Sequence, residues 1–271
     1  MSLDSPQPSL FVPHGAPTFM LHPGAAGAAL SALADTLPMP RAIVMVSAHW
    51  ETAVPTVGFA PRPETMYDFW GFPEALYRLH YPATGCPEAA AEVQAALQAA
   101  GFPVETDAGR GLDHGTWMPL KLLFPNADVP VIPLSIQPAA GPGHHLRLGR
   151  ALLPLTQRGF LVIGSGNLTH NLRDYQQAAR HGGATPDYVR AFADWMHQQL
   201  LTGDVSALLD YRRQAPGAVQ AHPRDEHLLP LYVAFGAAGA GAQTRRFHAG
   251  IDDYVLAMDG FVFSNPEHAQ P

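Results

Sequence analysis

The chain contains one cysteine and few charged residues, and each shortage excludes a class of protein. Because Cys86 is the only cysteine among 271 residues, neither an internal disulfide nor a thiolate metal cluster can form. Charged residues make up 14% of the chain and the formal net charge is −7, without the basic stripe that attracts nucleic acid. No apolar run approaches the roughly 20 residues of a membrane span. We therefore expect no nucleic-acid partner and no membrane insertion.

A secretory signal is also lacking, because no positively charged segment precedes an apolar one near the amino terminus. We therefore expect a cytoplasmic protein. Its 27 prolines and 25 glycines separate apolar segments without clustering into a linker. This predicts one domain over residues 1–271, with residues 1–7 and 265–271 as loose tails. The sequence leaves the oligomeric state open.

Short apolar runs alternate with patterns of helical period along the chain. The runs of strand length are 9–13, 41–48, 54–60, 130–136, 159–164, 243–249 and 254–263. Helices are predicted at 25–37, 87–100, 118–124, 145–156, 186–201 and 223–235. This alternation is typical of an α/β domain whose central sheet is mostly parallel or mixed, with helices on both faces. In such sheets, ligand sites form at the carboxyl ends of the strands.

Three of the 14 histidines stand where predicted strands end. His14 follows the run 9–13, His49 follows the run 41–48, and His170 follows the glycine-rich exit from the run 159–164. Taken singly, His14 is compatible with a turn histidine bonded to a nearby carbonyl, and His49 with a strand-end histidine packed on Trp50. The segment that carries His170 is compatible with a phosphate-cradling turn or a simple connection, although it lacks the lysine of a P-loop. Neutral imidazole is a good ligand for zinc, iron, copper and nickel. Together the three histidines predict a metal site at the carboxyl ends of the strands.

A fourth histidine, His114, lies between two glycines and in front of an apolar helix. The preceding Asp113 either caps that helix or holds one nitrogen of the His114 ring. An imidazole that lies near a metal without binding it is a natural proton donor or acceptor, because its pKa is near neutrality. The alternative is a capping aspartate beside a surface histidine.

The segment 221–231 carries the remaining histidines of interest. Pro223 suits the first turn of a helix, which puts His222 near the cap and His227 about one turn inside. Glu226 is also favoured at a helix start by the helix dipole. A solvated helix start is the alternative, although the apolar residues that follow indicate that this turn leads into buried packing.

These segments together resemble the class III extradiol ring-cleavage dioxygenases. The matching segments are 9–18, 45–51, 65–81, 111–124, 161–173 and 221–237, with the strings Ser-Ala-His-Trp-Glu, Tyr-Asp-Phe-Trp-Gly-Phe-Pro and Asp-His-Gly-Thr-Trp-Met-Pro-Leu. The likeness is greatest to the single-subunit branch, typified by 4,5-DOPA-type extradiol dioxygenases. The resemblance implies one α/β domain that opens the ring of a small catechol, DOPA-like or other, with O2 and one non-haem Fe(II).

The resemblance also implies roles for the histidines. His14 and His49 match metal ligands, and His227 matches the third ligand position, where two-subunit members have a glutamate. His170 matches the base on the catechol hydroxyl and is also counted among the metal-site residues of this branch. His114 matches the acid–base histidine that contacts substrate or oxygen without binding the metal. Possible alternative ligands or neighbours of the ion are His222, Glu226 and Asp113.

A site of three or four histidines also suits zinc, so Zn(II) is compatible as the bound ion although Fe(II) is expected for activity. We expect the substrate to lie near Trp50, Tyr67, Phe69, Trp117 and Asn167. Two other functions stay open at this point. One is a zinc hydrolase with His114 or Glu226 as base, although the chain lacks a His-Glu-x-x-His helix. The other is a non-catalytic metal-binding scaffold similar to the Memo-type proteins.

Overall fold

The computed structural model describes residues 5–265, which form one α/β domain. The strands are β1 (Ser9–Pro13), β2 (Ala42–Glu51), β3 (Thr56–Gly58), β4 (Glu105–Asp107), β5 (Val131–Ile136), β6 (Phe160–Gly166), β7 (Gln243–His248), β8 (Ile251–Asp252), β9 (Leu256–Ala257) and β10 (Gly260–Ser264). The helices are α1 (Gly24–Ala34), α2 (Glu74–Tyr77), α3 (Pro87–Ala99), α4 (His114–Leu123), α5 (Gly141–Thr156), α6 (Leu172–His181), α7 (Asp187–Thr202), α8 (Val205–Leu209), α9 (Tyr211–Gln214), α10 (Ala218–Ala221) and α11 (Leu229–Ala237).

The central sheet has eight strands in the order β4-β3-β5-β2-β6-β1-β10-β7. Its middle is parallel, because β2 pairs in parallel with both β5 and β6, and β6 pairs in parallel with β1. At the two sides, β10 runs antiparallel to β1 and β7, and β3 runs antiparallel to β5. The carboxyl ends of β2, β6 and β1 therefore lie side by side at one edge of the sheet.

Both faces of this parallel centre are buried, which explains why its strands are continuous apolar runs. Ile43 and Met45 of β2 belong to an apolar cluster that includes residues of α1, α4 and α7. Val44 and Val46 of the same strand point to the opposite cluster, which includes residues of α3 and α5. Helices therefore cover both faces, as the α/β prediction requires, and the predicted fold class is confirmed.

Two predicted elements are wrong in detail. The run 254–263 is not one strand but two, β9 and β10, because Met258 leaves the ladder and donates its backbone N–H to the Gly250 carbonyl. The predicted helix 223–235 begins only at Leu229, so residues 222–228 form an irregular segment. Strand β4 was not expected, since its sequence Glu-Thr-Asp is polar and it lies at the sheet edge.

The amino-terminal segment is packed closer to the domain than predicted. Gln7 is buried, and its backbone N–H donates to the Thr156 carbonyl at the end of α5. The other parts of the predicted tails, residues 1–4 and 266–271, lie outside the described residues. Among the helices of residues 5–265, none has the length and apolar character needed to cross a bilayer.

Candidate active site

Five histidines come together at the carboxyl edge of the parallel strands. His14 follows β1, His49 lies near the end of β2, and His170 lies beyond β6. His114 is the first residue of α4, and His227 lies in the irregular segment before α11. The structure thus brings together the five histidines that the sequence singled out for metal binding and proton transfer.

The donor atoms of these rings are close enough to share an ion. The Nε2 atoms of His14 and His49 lie 3.1 Å apart. Donor atoms of His14, His49 and His114 all lie within 4.8 Å of one another, and so do those of His170, Glu226 and His227. Two separate groups of candidate ligands are therefore available, and the separations of the ring centres indicate which rings can share an ion.

Ring separation limits which imidazoles can bind one ion together. A metal–nitrogen distance of about 2.1 Å puts the ring centre roughly 3.2 Å from the ion. When the directions from the ion to two ring centres differ by 90–110°, those centres are about 4.6–5.3 Å apart. The centres of His14, His49 and His227 are separated by 4.9, 5.0 and 5.2 Å, which fits this range. His49 and His114 are only 4.0 Å apart, and His170 and His227 only 3.4 Å. The ring centres of His14, His49 and His227 therefore form a triangle whose separations are compatible with one shared metal ion.

Hydrogen bonds fix the ring protons of two members of this triangle. His14 Nδ1 lies 2.9 Å from Ser165 Oγ, and that hydroxyl donates its own hydrogen to the Gly115 carbonyl. Ser165 must then accept from His14, so the proton is on Nδ1 and Nε2 carries the lone pair. His227 Nδ1 likewise lies 3.1 Å from the Glu226 carboxylate, which only accepts. Both rings therefore present an unprotonated Nε2, the form that binds a metal.

Burial keeps four of the clustered imidazoles neutral, those of His14, His49, His170 and His227. Desolvation, followed by the mutual repulsion of their charged forms, lowers the pKa of His14 and of His227 well below its usual value. The same two causes lower the pKa of His49 to about 4 and that of His170 to about 3. Neutral imidazole is the metal-binding form, so at neutral pH the rings need not release protons to accept an ion.

His114 is held by a carboxylate that sequence reasoning did not single out. Asp68 Oδ1 accepts the backbone N–H of His114 at 2.8 Å, and Oδ2 lies 3.0 Å from the ring Nδ1. Burial alone would raise the pKa of Asp68, but the hydrogen bonds and charges of His114 and His49 lower it to about 2. The sequence feature that could have identified Asp68 is its position as the only acid within the aromatic string Tyr-Asp-Phe-Trp.

Asp113 caps α4, which was one of its two predicted roles, and does not hold the His114 ring. Its Oδ1 accepts the backbone N–H of Thr116 at 3.0 Å and the hydroxyl of Ser47 at 2.6 Å. Its Oδ2 accepts from Arg110 at 2.6 Å. Asp113 therefore fixes the start of α4 against β2 and positions His114 only through the backbone.

The segment 222–228 differs from the predicted helix start, and this separates its histidines. His222 is the carboxyl cap of α10 and donates its Nε2–H to the Leu168 carbonyl at 2.7 Å, away from the cluster. Arg212 holds the segment by donating to the His222 carbonyl and to Asp225. The His227 carbonyl accepts the backbone N–H of Asn167 at 3.1 Å. These bonds leave the His227 side chain facing His14 and His49.

Two glycines allow the close packing around the cluster. A Cβ on Gly115 would lie 2.5 Å from Ser47 Oγ and 2.9 Å from a carbon of the His49 ring. A Cβ on Gly166 would lie 2.0 Å from the His227 carbonyl oxygen. Since real Cβ atoms do not approach so closely, the absence of a side chain at both positions lets α4 and the His227 segment reach the strand ends.

A cavity of about 770 Å³ is lined by His49, His114, His170 and His227, whereas His14 is fully buried and does not line it. This volume is within the usual range for small-molecule sites. Its aromatic wall consists of Phe69, Trp70 and Phe72, and Leu172 and Tyr175 also line it. Arg224 and Glu51 line it as well and form an ion pair at 2.8 Å. The cavity therefore combines an apolar wall with a polar base.

Of the five residues expected near the substrate, only Phe69 lines the cavity. The other four are Trp50, Tyr67, Trp117 and Asn167. Trp117 is fully buried and donates to the Met66 carbonyl, and Trp50 packs under the Arg110 guanidinium. Tyr67 donates its hydroxyl to the Leu79 carbonyl. Asn167 is fully buried and accepts the Gly15 backbone N–H. Of these side chains, Tyr67 packs edge-on against Phe69 of the cavity wall.

Comparisons with known proteins agree with this architecture. Residues 26–254 match the family described as the catalytic LigB subunit of aromatic ring-opening dioxygenase. The chain is 41% identical over 227 residues to the 4,5-DOPA dioxygenase extradiol of Beta vulgaris, covering 83% of this chain and 84% of that protein. It is 37% identical over 262 residues to the protein of the same name from Portulaca grandiflora, covering 95% and 96% of the two chains.

A solved structure shows the same fold. The crystal structure of an uncharacterized protein from Escherichia coli K12 superimposes with a TM-score of 0.78 at 30% sequence identity, covering 94% of this chain and 99% of that one. Together with the family match over most of the chain, these likenesses identify the protein: it belongs to the class III extradiol dioxygenases and is an extradiol ring-cleavage dioxygenase.

Proposed function

We propose that the enzyme opens the ring of a catechol with O2, and that it uses one non-haem Fe(II) held by His14, His49 and His227. The observation that carries this proposal is the triangle of neutral imidazoles with ring centres 4.9–5.2 Å apart, two of which, His49 and His227, line the cavity. Two further histidines, His114 and His170, lie against that triangle and line the same cavity. Zn(II) fits the same three nitrogens but is redox-inert.

The cavity and the family both support a catechol as the substrate class. When bound, Fe(II) would hold both hydroxyl oxygens of a catechol and bring O2 beside it. The aromatic wall of Phe69, Trp70 and Phe72 offers ring faces and edges to the substrate ring. The relatives from Beta vulgaris and Portulaca grandiflora carry 4,5-DOPA in their names, and a DOPA-like or other small catechol is the substrate class we propose here.

Proton transfer falls to the two histidines that the ring separations leave outside the triangle. His114 donates its Nδ1–H to Asp68, so its Nε2 is the atom free to accept or return a proton. His170 is unprotonated at neutral pH, since burial lowers its pKa to about 3, and its ring is 14% exposed toward the cavity. We assign His170 as the base that removes a catechol hydroxyl proton and His114 as the group that exchanges a proton with the reacting atoms.

The test is oxygen consumption by the protein loaded with Fe(II) under anaerobic conditions and then mixed with oxygenated catechols. We expect one O2 consumed per catechol, with a yellow ring-opened product, and no consumption by the Zn(II)-loaded protein. His14→Ala is expected to remove the activity, whereas His181→Ala, at an exposed position on α6, should retain it. The proposal fails if no catechol supports oxygen uptake, or if the Zn(II)-loaded protein turns over without O2.

A further inference from the structure

Asp68 makes two hydrogen bonds to His114, although the loop that carries Asp68 is distant from His114 in sequence. Its Oδ1 accepts the backbone N–H of His114 at 2.8 Å, and its Oδ2 lies 3.0 Å from His114 Nδ1. The backbone bond places the carboxylate at the first turn of α4, and the second bond sets the plane and the tautomer of the ring. Phe69, the next residue, packs edge-on against the same ring, with centres 5.6 Å apart and planes at 89°.

A carboxylate is the side chain that suits this position. The backbone N–H can only donate, so its partner atom must accept. An ionised carboxylate accepts at both oxygens, which obliges His114 to carry a proton on Nδ1, so that in the neutral ring the lone pair is on Nε2. A neighbouring ring, His49, has its Nδ1 3.7 Å from the same Oδ2, beyond hydrogen-bond distance. Asp68 is thus committed to His114.

We propose that Asp68 is a positioning residue, which holds His114 in the tautomer and orientation needed for proton transfer in ring cleavage. This inference rests on the proposed function for the role of His114, but the tautomer itself is a property of the metal-free protein. Asp68 lines the cavity beside His114. It acts through the imidazole, as the carboxylate partners of catalytic histidines do in other enzymes.

The variant Asp68→Asn separates this role from simple packing. An amide has one accepting oxygen and one donating nitrogen. If its oxygen keeps the backbone N–H, its nitrogen faces the ring and His114 must turn Nδ1 into an acceptor, which moves the proton to Nε2. Nitrogen-15 NMR of metal-free protein is expected to show the Nδ1–H form in the wild type and the Nε2–H form in Asp68→Asn. Asp35→Asn, at an exposed position after α1, is the matched control and should show the wild-type signals.

Kinetic and binding measurements on the same variants complete the test. With Fe(II) and a catechol, Asp68→Asn is expected to lower kcat about 10- to 100-fold while KM stays within about threefold. Its affinity for Zn(II), measured by titration, should stay within about threefold of wild type, because the nitrogens of His14, His49 and His227 are unchanged.

The outcomes separate this inference from the proposed function. An unchanged His114 tautomer with unchanged kcat would overturn the role of Asp68 and leave the proposed function standing. A loss of Zn(II) affinity without a tautomer change would assign Asp68 to His49 and also overturn it. If the wild type turns over no catechol, the proposed function fails, and the NMR comparison still decides whether Asp68 sets the His114 tautomer.

Discussion

The imidazole rings of His170 and His227 lie face to face, with 3.4 Å between ring centres and 11° between ring planes. An ion bound by an imidazole lies close to the plane of that ring, along the nitrogen lone pair. Two parallel rings stacked this closely cannot both direct lone pairs at one ion. The stack therefore leaves one of the two rings unbound beside the metal, and the separations of His227 from His14 and His49 favour His227 as the ligand.

Removing each ring of this stack should have different effects. His227→Ala is expected to lower Zn(II) affinity about 100-fold or more, because one of three ligands is lost. His170→Ala should retain Zn(II) affinity within about threefold but lose turnover of catechols. Zinc titration and oxygen uptake on both variants measure this. An equal loss of affinity in the two variants would mean that His170 is a ligand.

Ser165 should strengthen metal binding by orienting His14. Its hydroxyl accepts from His14 Nδ1 and donates to the Gly115 carbonyl, so Ser165→Ala removes the bond that fixes the His14 tautomer. We expect Zn(II) affinity to fall about 10- to 100-fold. The control is Ser206→Ala, at an exposed position in α8. Equal affinities for the two variants would show that the Ser165 bond is not needed to orient His14.

The close approach of α4 to the strand ends depends on Gly115. In Gly115→Ala the new methyl group would lie 2.5 Å from Ser47 Oγ and 2.9 Å from the His49 ring, so α4 or His49 must move. We expect a loss of about 1–3 kcal/mol in the free energy of unfolding, together with weaker Zn(II) binding. Gly143→Ala, in α5, is the matched control, because its Cβ would meet nothing within 4 Å. That change should leave Zn(II) binding unaltered.

The sequence predicted much of this site because its signals are local. An apolar run followed by histidine identifies His14 and His49, and the carboxyl ends of parallel strands then bring such residues together. The segment 222–228 was misassigned because Pro223 and the acids after it have a helix-start pattern, whereas bonds from Arg212 and Asn167 hold it irregular. Those partners are remote in sequence and leave no local pattern.

Asp68 was missed for the same reason, since its partner lies 46 residues away. The aromatic residues that line the cavity were only partly identified because aromatic type does not reveal which side of a loop a ring occupies. Trp117 is fully buried while Trp70 is 86% exposed, although both belong to the strings that carry the family resemblance. The family match settles the reaction class, which separates the dioxygenase from the hydrolase and scaffold alternatives.

Trp70 should contribute to substrate binding rather than to folding. It lines the cavity yet is 86% exposed, so its ring has little protein contact to lose. For Trp70→Ala we expect KM for catechols to rise roughly tenfold, about 1.4 kcal/mol of aromatic contact, without a change in the free energy of unfolding. Met39→Ala, at a position 49% exposed and outside the cavity wall, is the control. An unchanged KM would remove Trp70 from the substrate site.

A buried histidine outside the site should make stability depend on pH. Burial lowers the pKa of His145 to about 4, while its Nε2 accepts the Gln137 backbone N–H. The folded state therefore favours the neutral ring. The neutral His145 ring contributes to stability above the unfolded pKa of 6.5, and this contribution is lost as pH falls from 6.5 toward 4. For His145→Gln, the free energy of unfolding of the metal-free protein, measured with urea, should depend less steeply on pH between pH 6 and 4.5. We expect the slope to be smaller than in the wild type by about 1.4 kcal/mol per pH unit. An identical slope would contradict this.

The central claim is that His14, His49 and His227 hold one metal ion while His114 and His170 remain unbound beside it. X-ray diffraction from metal-loaded crystals, with anomalous data at the zinc edge, tests it most directly. We predict one ion about 2.0–2.2 Å from the Nε2 atoms of His14, His49 and His227, with His114 still bonded to Asp68. An ion bound by His114 with His14 and His49, or by His170 with Glu226 and His227, would contradict the account.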